Sequence, residues 1–325
     1  MASVAHSTKP GPLTRARLWF GGFRERETWW AYLFISPWLF GFIVFTSGPM
    51  LASLYFSFTD YGLEQIAGFE ETSYVGTANY RELADDPKVQ TSLENTFVFT
   101  LMMVPATIAV ALALAMILVR VGRAAGLFRT IFYLPQITPL VAVGILFLLL
   151  FNGSVGIVNQ GLGLIGIEGP FWTTDPNWIK PGLVLMDVWA VGGTMVILLA
   201  ALHSVPTQLY EAAAMDGAPA WRRFKDVTLP MISPALFFCF IILTIAGLNS
   251  FTQAYTAFFG AGQAGAEAPD AALFFNIYLF RQAFENFNMG FACAMAWLLF
   301  GITMIVTAVN FLGSRRFVFY QGAQR

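Results

Sequence analysis

The sequence contains little charge, little histidine and little cysteine. Charged residues make up 11% of the 325 residues, whereas a soluble domain has about 25%. The formal net charge is −1, so the chain lacks the basic face that nucleic-acid binding requires. The two cysteines, Cys239 and Cys293, lie in apolar runs. This excludes a framework of several disulfides and indicates small buried side chains.

Motifs for catalysis and for nucleotide binding are missing as well. The chain has no G-x-x-x-x-G-K-[ST] sequence, so it does not itself hold the phosphates of ATP. It has no H-E-x-x-H sequence, and His6 and His203 stand alone. These absences predict a chain that is not an enzyme and that holds no metal or cofactor of its own.

Apolar residues are abundant instead, and they predict an all-α membrane protein. Hydrophobic residues make up 57% of the chain, and phenylalanine alone occurs 33 times. A spanning helix needs roughly 20 apolar residues. Runs without charge predict six spans. Five lie within residues 28–59, 95–119, 130–167 (with the helix ending near Phe151), 227–266 and 286–314, and residues 188–210 are the core of the fourth span.

The basic residues predict the orientation of these spans. All but four of the 18 lysines and arginines fall in four segments: the N-terminus, the second connection, the fourth connection and the C-terminus. Basic residues favour the cytoplasmic side. The sequence therefore predicts a cytoplasmic tail over residues 1–28, a six-helix domain over 29–314 and a second cytoplasmic tail over 315–325.

The fourth connection, residues 203–232, is longer than a turn and has a regular pattern; we name it the coupling segment. Pro206 suits a first helical turn, and Leu209, Ala212, Ala213 and Asp216 follow at helical spacing. Gly217 can end this helix in a left-handed conformation. We expect a second short helix after Pro219, and Leu229–Pro230 closes the segment before the fifth span.

This pattern predicts a helix–turn–helix on the membrane surface. The alanines at positions 212–214 leave a smooth face that a partner can approach, and Glu211 offers that partner a charge. An amphipathic interfacial loop without a partner fits the pattern equally well.

The coupling segment resembles the EAA loop of permeases in binding-protein-dependent ABC importers. That loop reads E-A-A, three residues, G, nine residues, I-x-L-P. The sequence has Glu211-Ala212-Ala213, Gly217 and Val227-Thr228-Leu229-Pro230, with valine in place of isoleucine. Further similarities are Gly76 to Tyr80, Asn95-Thr96, Phe128 to Thr130, Tyr133 to Pro135, and Gly156 with Asn159.

Tyr210 before the motif and Asp216-Gly217-Ala218 within it resemble the carbohydrate branch of this family, of the maltose- and glycerol-phosphate-type first permease. The resemblance implies a type I importer permease in a bacterial inner membrane. It implies a second permease, two ATPase subunits that bind ATP and Mg²⁺, an extracytoplasmic solute-binding protein and a sugar as solute. Glu211, Ala212, Ala213, Asp216, Gly217, Leu229 and Pro230 would then couple the chain to an ATPase.

Five residues are candidates for solute binding. Asp187 is the acid expected inside a span, where an ionisable group indicates function, although it can equally lie at a wet outer end. Trp189 can stack on a sugar ring or anchor the helix at the interface. Asn249 and Gln253, with Ser250 between them, are expected to share a helix face. They can bind sugar hydroxyls or bond neighbouring helices.

Two alternatives remain, a different solute and a different class of transporter. A glycerol-phosphate-like solute would favour a cation in its path, and no lysine or arginine falls within a predicted span. A secondary transporter usually shows paired intramembrane carboxylates or broken helices in both halves, and only Asp187 meets that description.

Overall fold

The computed structural model describes residues 26–259 and 269–319. The expected tails therefore lie largely outside the described residues, as does the end of the predicted fifth run. Within the described residues the chain is helical, with a single isolated bridge between Thr59 and Tyr74 as its extended pairing. It divides into two units, Met1–Phe56 and Ser57–Arg325.

The first unit contains one span. Helix α1 (Arg26–Phe42) continues through a π-turn (Ile43–Ser47) into α2 (Gly48–Phe56). The π-turn directly precedes Gly48–Pro49, where the proline ring would clash with a regular helical carbonyl. The stretch Trp29–Phe56 is long and apolar enough to cross a membrane.

The second unit contains the other helices. They are α3 (Leu63–Ile66), α4 (Ala78–Asp85), α5 (Pro87–Val121), α6 (Ala125–Tyr133), α7 (Leu140–Leu150), α8 (Ile157–Leu164), α9 (Pro176–Trp189), α10 (Gly192–His203), α11 (Thr207–Met215), α12 (Ala220–Arg223), α13 (Leu229–Leu248), α14 (Thr252–Phe258), α15 (Phe275–Phe280) and α16 (Met289–Phe317).

Three further stretches of the described residues can each cross a membrane, and two bent pairs of helices give a total of six, as predicted, if each pair is counted as one span. The stretches are Pro87–Val121, Ala220–Phe258 and Met289–Ser314. The bent pairs are Ala125–Ile137 with Leu140–Leu150, at 96°, and Pro176–Trp189 with Gly192–His203, at 53°. Pro139 explains the first bend, because the residue before a proline is driven out of the helical region.

The predicted bounds of the fourth span, 188–210, are wrong. The span begins at Pro176 and ends at His203, so its first half contains Lys180 and Asp187. A search for charge-free runs excluded that half, but a helix surrounded by protein tolerates ionisable groups. As a consequence, Asp187 lies near the middle of the span rather than at its end.

Helix α5 is the centre of the second unit. Helices α9, α10, α13 and α15 all pack against it, along a face that contains Phe99, Met103 and Ala111. Gly247 of α13 comes so close that an added Cβ would lie 2.8 Å from Thr100 Oγ1. Glycine at this position therefore sets the distance between the second and fifth spans.

Several residues of the family-like motifs anchor connections between spans. The Asn95 side chain donates to the carbonyls of Asp270 (2.7 Å) and Leu273 (3.0 Å), while the Asn79 side chain donates to the carbonyl of Thr59 (2.9 Å). In the same region Tyr278 donates its hydroxyl hydrogen to the Asp86 carboxylate. Burial is the main reason that the pKa of Tyr278 rises to about 12, and the bond to Asp86 adds to it.

Candidate functional site

The coupling segment has two arms, the helix before Gly217 and the short helix after Pro219. The first arm forms as predicted. Helix α11 begins directly after Pro206 and ends at Met215. Gly217 has φ +72°, which confirms the expected left-handed turn. Its N–H donates to the Ala214 carbonyl (3.0 Å), and the next N–H, of Ala218, donates to the Ala213 carbonyl (2.9 Å). These two bonds are those of a Schellman motif, so the turn leaves the helix in a defined direction.

The second arm also forms as predicted. The short helix after Pro219 is confirmed as α12, and the segment ends at Leu229–Pro230, where the helix of the fifth span begins. The chain passes through a π-turn (Phe224–Thr228) straight into α13, whose first turn contains Pro230. The wider π-turn accommodates the proline ring, so the second arm and the fifth span form one continuous rod.

A hydrogen bond that the sequence did not reveal joins the two arms. The hydroxyls of Tyr210 and Thr228 lie 2.9 Å apart, and Thr228 is buried. In the sequence, Tyr210 stands out only through the resemblance to the carbohydrate branch. Because the partners are 18 residues apart, no local pattern shows the bond, which holds α11 against the start of the fifth span.

The turn presents an apolar surface with few fixed charges. Met215 is 89% exposed and Trp221 is 70% exposed, one on each side of Gly217. Glu211 and Asp216 are exposed as well. The ion pair of Arg222 with Asp226, at 3.4 Å, is also exposed, and such pairs contribute only about 0–1 kcal/mol.

Three of the five solute candidates line one niche between the fourth and fifth spans. These are Asp187, Ser250 and Gln253, which are joined there by Phe99, Leu183, Met186 and Ala254. The Gln253 side-chain amide donates to Asp187 Oδ1 at 3.2 Å. The niche is closed in this conformation and has no room for a water molecule. We name it the Asp187 niche.

The other two candidates lie outside this niche. Trp189 is the last residue of α9 and is 49% exposed. The expectation that Asn249 and Gln253 share a helix face is wrong, because the fifth span breaks between Leu248 and Thr252. The Asn249 side chain turns back and donates to the carbonyl of Ile245 (2.9 Å). It thereby competes for the backbone of the last turn, which is typical of asparagine at a helix end.

A larger groove is too apolar to bind a hydroxyl-rich solute. It has a volume of about 740 Å³ and lies along α13 and α16. Its lining includes Leu236, Phe237 and Phe240, and few polar atoms are available to orient a ligand. The described residues also contain no group of three or more histidine, cysteine, aspartate or glutamate side chains that could hold a metal ion.

Comparisons with known proteins agree with this geometry. The model of the family described as "binding-protein-dependent transport system inner membrane component" matches residues 104–318. The chain is 38% identical to the probable ABC transporter permease protein YesP of Bacillus subtilis, with 90% of this chain and 93% of that protein covered. It is 35% identical to the lactose transport system permease protein LacF of Rhizobium radiobacter, with 86% and 91% covered.

A solved structure shares the fold. It belongs to a bacterial ABC transporter involved in the import of the acidic polysaccharide alginate. The TM-score is 0.76 at 22% identity, and the alignment covers 92% of this chain and 99% of that chain.

Proposed function

Because the chain belongs to the family of inner membrane components of binding-protein-dependent transport systems, we propose that it is one permease subunit of an ATP-driven importer for a neutral sugar. The niche between two broken spans supports the choice of solute. It offers an amide, a hydroxyl and a carboxylate on an apolar background, which is the composition of a site that orients a polar solute.

The glycerol-phosphate alternative has less support. A phosphate ester would require a cation or several N–H donors, and no lysine or arginine lines the Asp187 niche. Lys180 lies in the first half of the same span but is not part of that lining. Secondary transport has no support in the family assignment.

Solute entry requires the niche to open. The bond from Gln253 to Asp187 occupies one amide donor and one carboxylate acceptor site that a sugar hydroxyl would use. The break at Ala190–Val191 begins three residues after Asp187, and the break at residues 249–251 contains Ser250. Since one polar group lies close to a break and the other lies within one, rotation of the half-helices would separate them and expose them to solute.

Coupling would occur through the coupling segment. We propose that Glu211 to Gly217 dock into a groove on one ATPase subunit, on the cytoplasmic side to which the basic residues assign this connection. The second arm continues into the fifth span without a loop, so displacement of the docked turn would move that span directly. Leu229 and Pro230 would act inside this rod, not as a contact surface.

The solute assignment is tested with the complete importer in proteoliposomes, supplied with its binding protein. The probes are lactose, maltose, trehalose and glycerol 3-phosphate. We expect ATP-dependent uptake of one of the three sugars and none of the phosphate ester. Gln253→Leu should lower uptake at least tenfold with the complex intact, whereas Gln160→Leu, an exposed glutamine on α8, should have no effect. Uptake of glycerol 3-phosphate alone would overturn the assignment.

The orientation is tested by labelling single cysteines in a chain that carries Cys239→Ser and Cys293→Ser. A cysteine at residue 80 should react with an impermeant reagent from outside, and cysteines at residues 20 and 320 should not. The reverse pattern would refute the proposed topology.

A further inference from the structure

Three aromatic side chains lie four residues apart along α14 and the two residues that flank it, and we name them the aromatic ladder: Phe251, Tyr255 and Phe259. Neighbouring rings are nearly parallel. The ring centroids are 4.9 Å apart, at 19°, for the first pair and 6.3 Å apart, at 12°, for the second. These distances are typical of offset rings. All three side chains are half-buried.

Neighbouring rings hold the ladder in place from one side. Phe280 contacts Tyr255 edge-on, with centroids 5.0 Å apart, and lies 5.3 Å from Phe251. Phe284 packs on Phe280 at 4.9 Å. The opposite face of α14, with Ala254 and Ala257, is buried. The ladder is therefore a fixed surface, because both its backing and its helix are packed.

Charged groups beside the ladder indicate that it faces water and not acyl chains. Arg281 and Glu285 form an ion pair at 2.8 Å, and their side chains are 42% and 39% exposed. The Tyr255 hydroxyl donates to Glu285 (3.3 Å), and the Arg281 guanidinium lies 5.5 Å from the Phe259 ring centroid. Exposed charges of this kind are costly against hydrocarbon, so the ladder lies along an aqueous face.

The ladder begins at the Asp187 niche. Phe251 lies between Ser250 and Gln253, which both line the niche, so the ladder starts on the same segment of chain. From there the ladder follows α14 away from the coupling segment. In the proposed orientation this direction leads to the outer side.

From this arrangement we propose that the aromatic ladder, with the Arg281–Glu285 pair at its edge, is an entry subsite for a pyranose sugar on its way to the Asp187 niche. A pyranose has an apolar C–H face and a rim of hydroxyls. The face packs on offset aromatic rings, and the rim finds a carboxylate acceptor and guanidinium donors beside them. The inference rests on the proposed transport of a neutral sugar.

The test uses the complete importer in proteoliposomes, with lactose, maltose and trehalose as probes. Tyr255→Leu and Phe259→Leu each remove one ring. We expect each to lower the maximal uptake rate about two- to tenfold, the range that corresponds to loss of one aromatic contact. The KM is set by the binding protein and should not change. Phe259→Tyr keeps the ring and should keep the rate.

A matched control removes a ring from another stacked pair. Phe128 and Phe132 on α6 are also four residues apart, with centroids 6.5 Å apart at 24°. Phe128→Leu should leave the uptake rate unchanged. Co-purification of the second permease and the ATPase subunits is measured for every variant.

Each other outcome decides against the proposal in a distinct way. Wild-type rates in both leucine variants would show that the ladder takes no part in transport. Loss of the second permease from the purified complex would identify the ladder as a protein interface. A Phe259→Tyr rate as low as that of Phe259→Leu would show that the ring itself is not what the solute uses. If the wild-type importer transports none of the three sugars, the proposed function fails, and this inference fails with it.

Discussion

The turn at Gly217 provides a quantitative test of the coupling segment. An ideal Cβ at this position would meet nothing within 4 Å, so a substitution acts only through the backbone. For a residue other than glycine, the left-handed conformation costs about 1–2 kcal/mol. If docking requires the turn as it stands, Gly217→Ala should therefore weaken ATPase association about 5- to 30-fold.

Gly217→Pro should have a larger effect. Proline fixes φ near −65°, far from the observed +72°. It also removes the N–H that donates to the Ala214 carbonyl. The turn must then open and redirect the second arm, so we expect the ATPase subunits to be lost from the purified complex.

The assay combines co-purification of the ATPase subunits with solute-stimulated ATP hydrolysis by the reconstituted importer. The control is Gly166→Ala. Gly166 has φ +76° and open space around its Cβ, and it forms the same pair of turn bonds after α8. It therefore experiences equal strain at another connection and should leave ATP hydrolysis unchanged. Wild-type ATPase association in both Gly217 variants would refute the assignment of this segment as the coupling element.

Three further perturbations test other parts of the structure. Glu211→Ala should weaken ATPase association less than tenfold, because one partly exposed ion pair contributes about 0–1 kcal/mol; complete loss of the complex would contradict this. Gly247→Val should destabilise the chain by about 1–3 kcal/mol through overpacking against α5, measured as a lower Tm in detergent. Gly301→Val should leave the Tm unchanged, because an added Cβ at this position would meet nothing within 4 Å. The pKa of Tyr278 is about 12 in the folded chain, against an ordinary value near 10. The folded state therefore loses stability as the pH rises from about 10 to about 12. Wild-type Tm should therefore fall between about pH 10 and pH 12 more than the Tm of Tyr278→Phe, and parallel curves would exclude this contribution.

The sequence predicts the number of spans because lipid tolerates only long apolar helices. It does not predict where those helices bend. A search for charge-free runs assumes that a span contacts lipid. It therefore missed the first half of the fourth span, which contains Lys180 and Asp187. At the break after Leu248, the Asn249 side chain bonds to the carbonyl of Ile245, and the pattern of apolar residues does not predict this bond.

The coupling segment was easier to predict than the niche because its signals are local. Proline and glycine impose backbone conformations wherever they occur, so Pro206, Gly217 and Pro219 mark the turn by themselves. By contrast, the contact of Gln253 with Asp187 joins residues 66 positions apart. Such a contact depends on how two spans pack, which a single sequence does not show.

The positions of the breaks explain how one segment can act on a distant niche. The coupling segment connects the fourth and fifth spans, and these same two spans supply Asp187, Ser250 and Gln253. Helix α10 leads from the segment to the break beside Asp187, and α13 leads from it to the break at Ser250. The two helices also pack against each other. If the segment is displaced as proposed, both helices would move as a pair, and we expect the two breaks to take up the movement. Asp187 lies three residues before one break, and Ser250 lies within the other. We therefore expect a displacement of the coupling segment to separate Gln253 from Asp187.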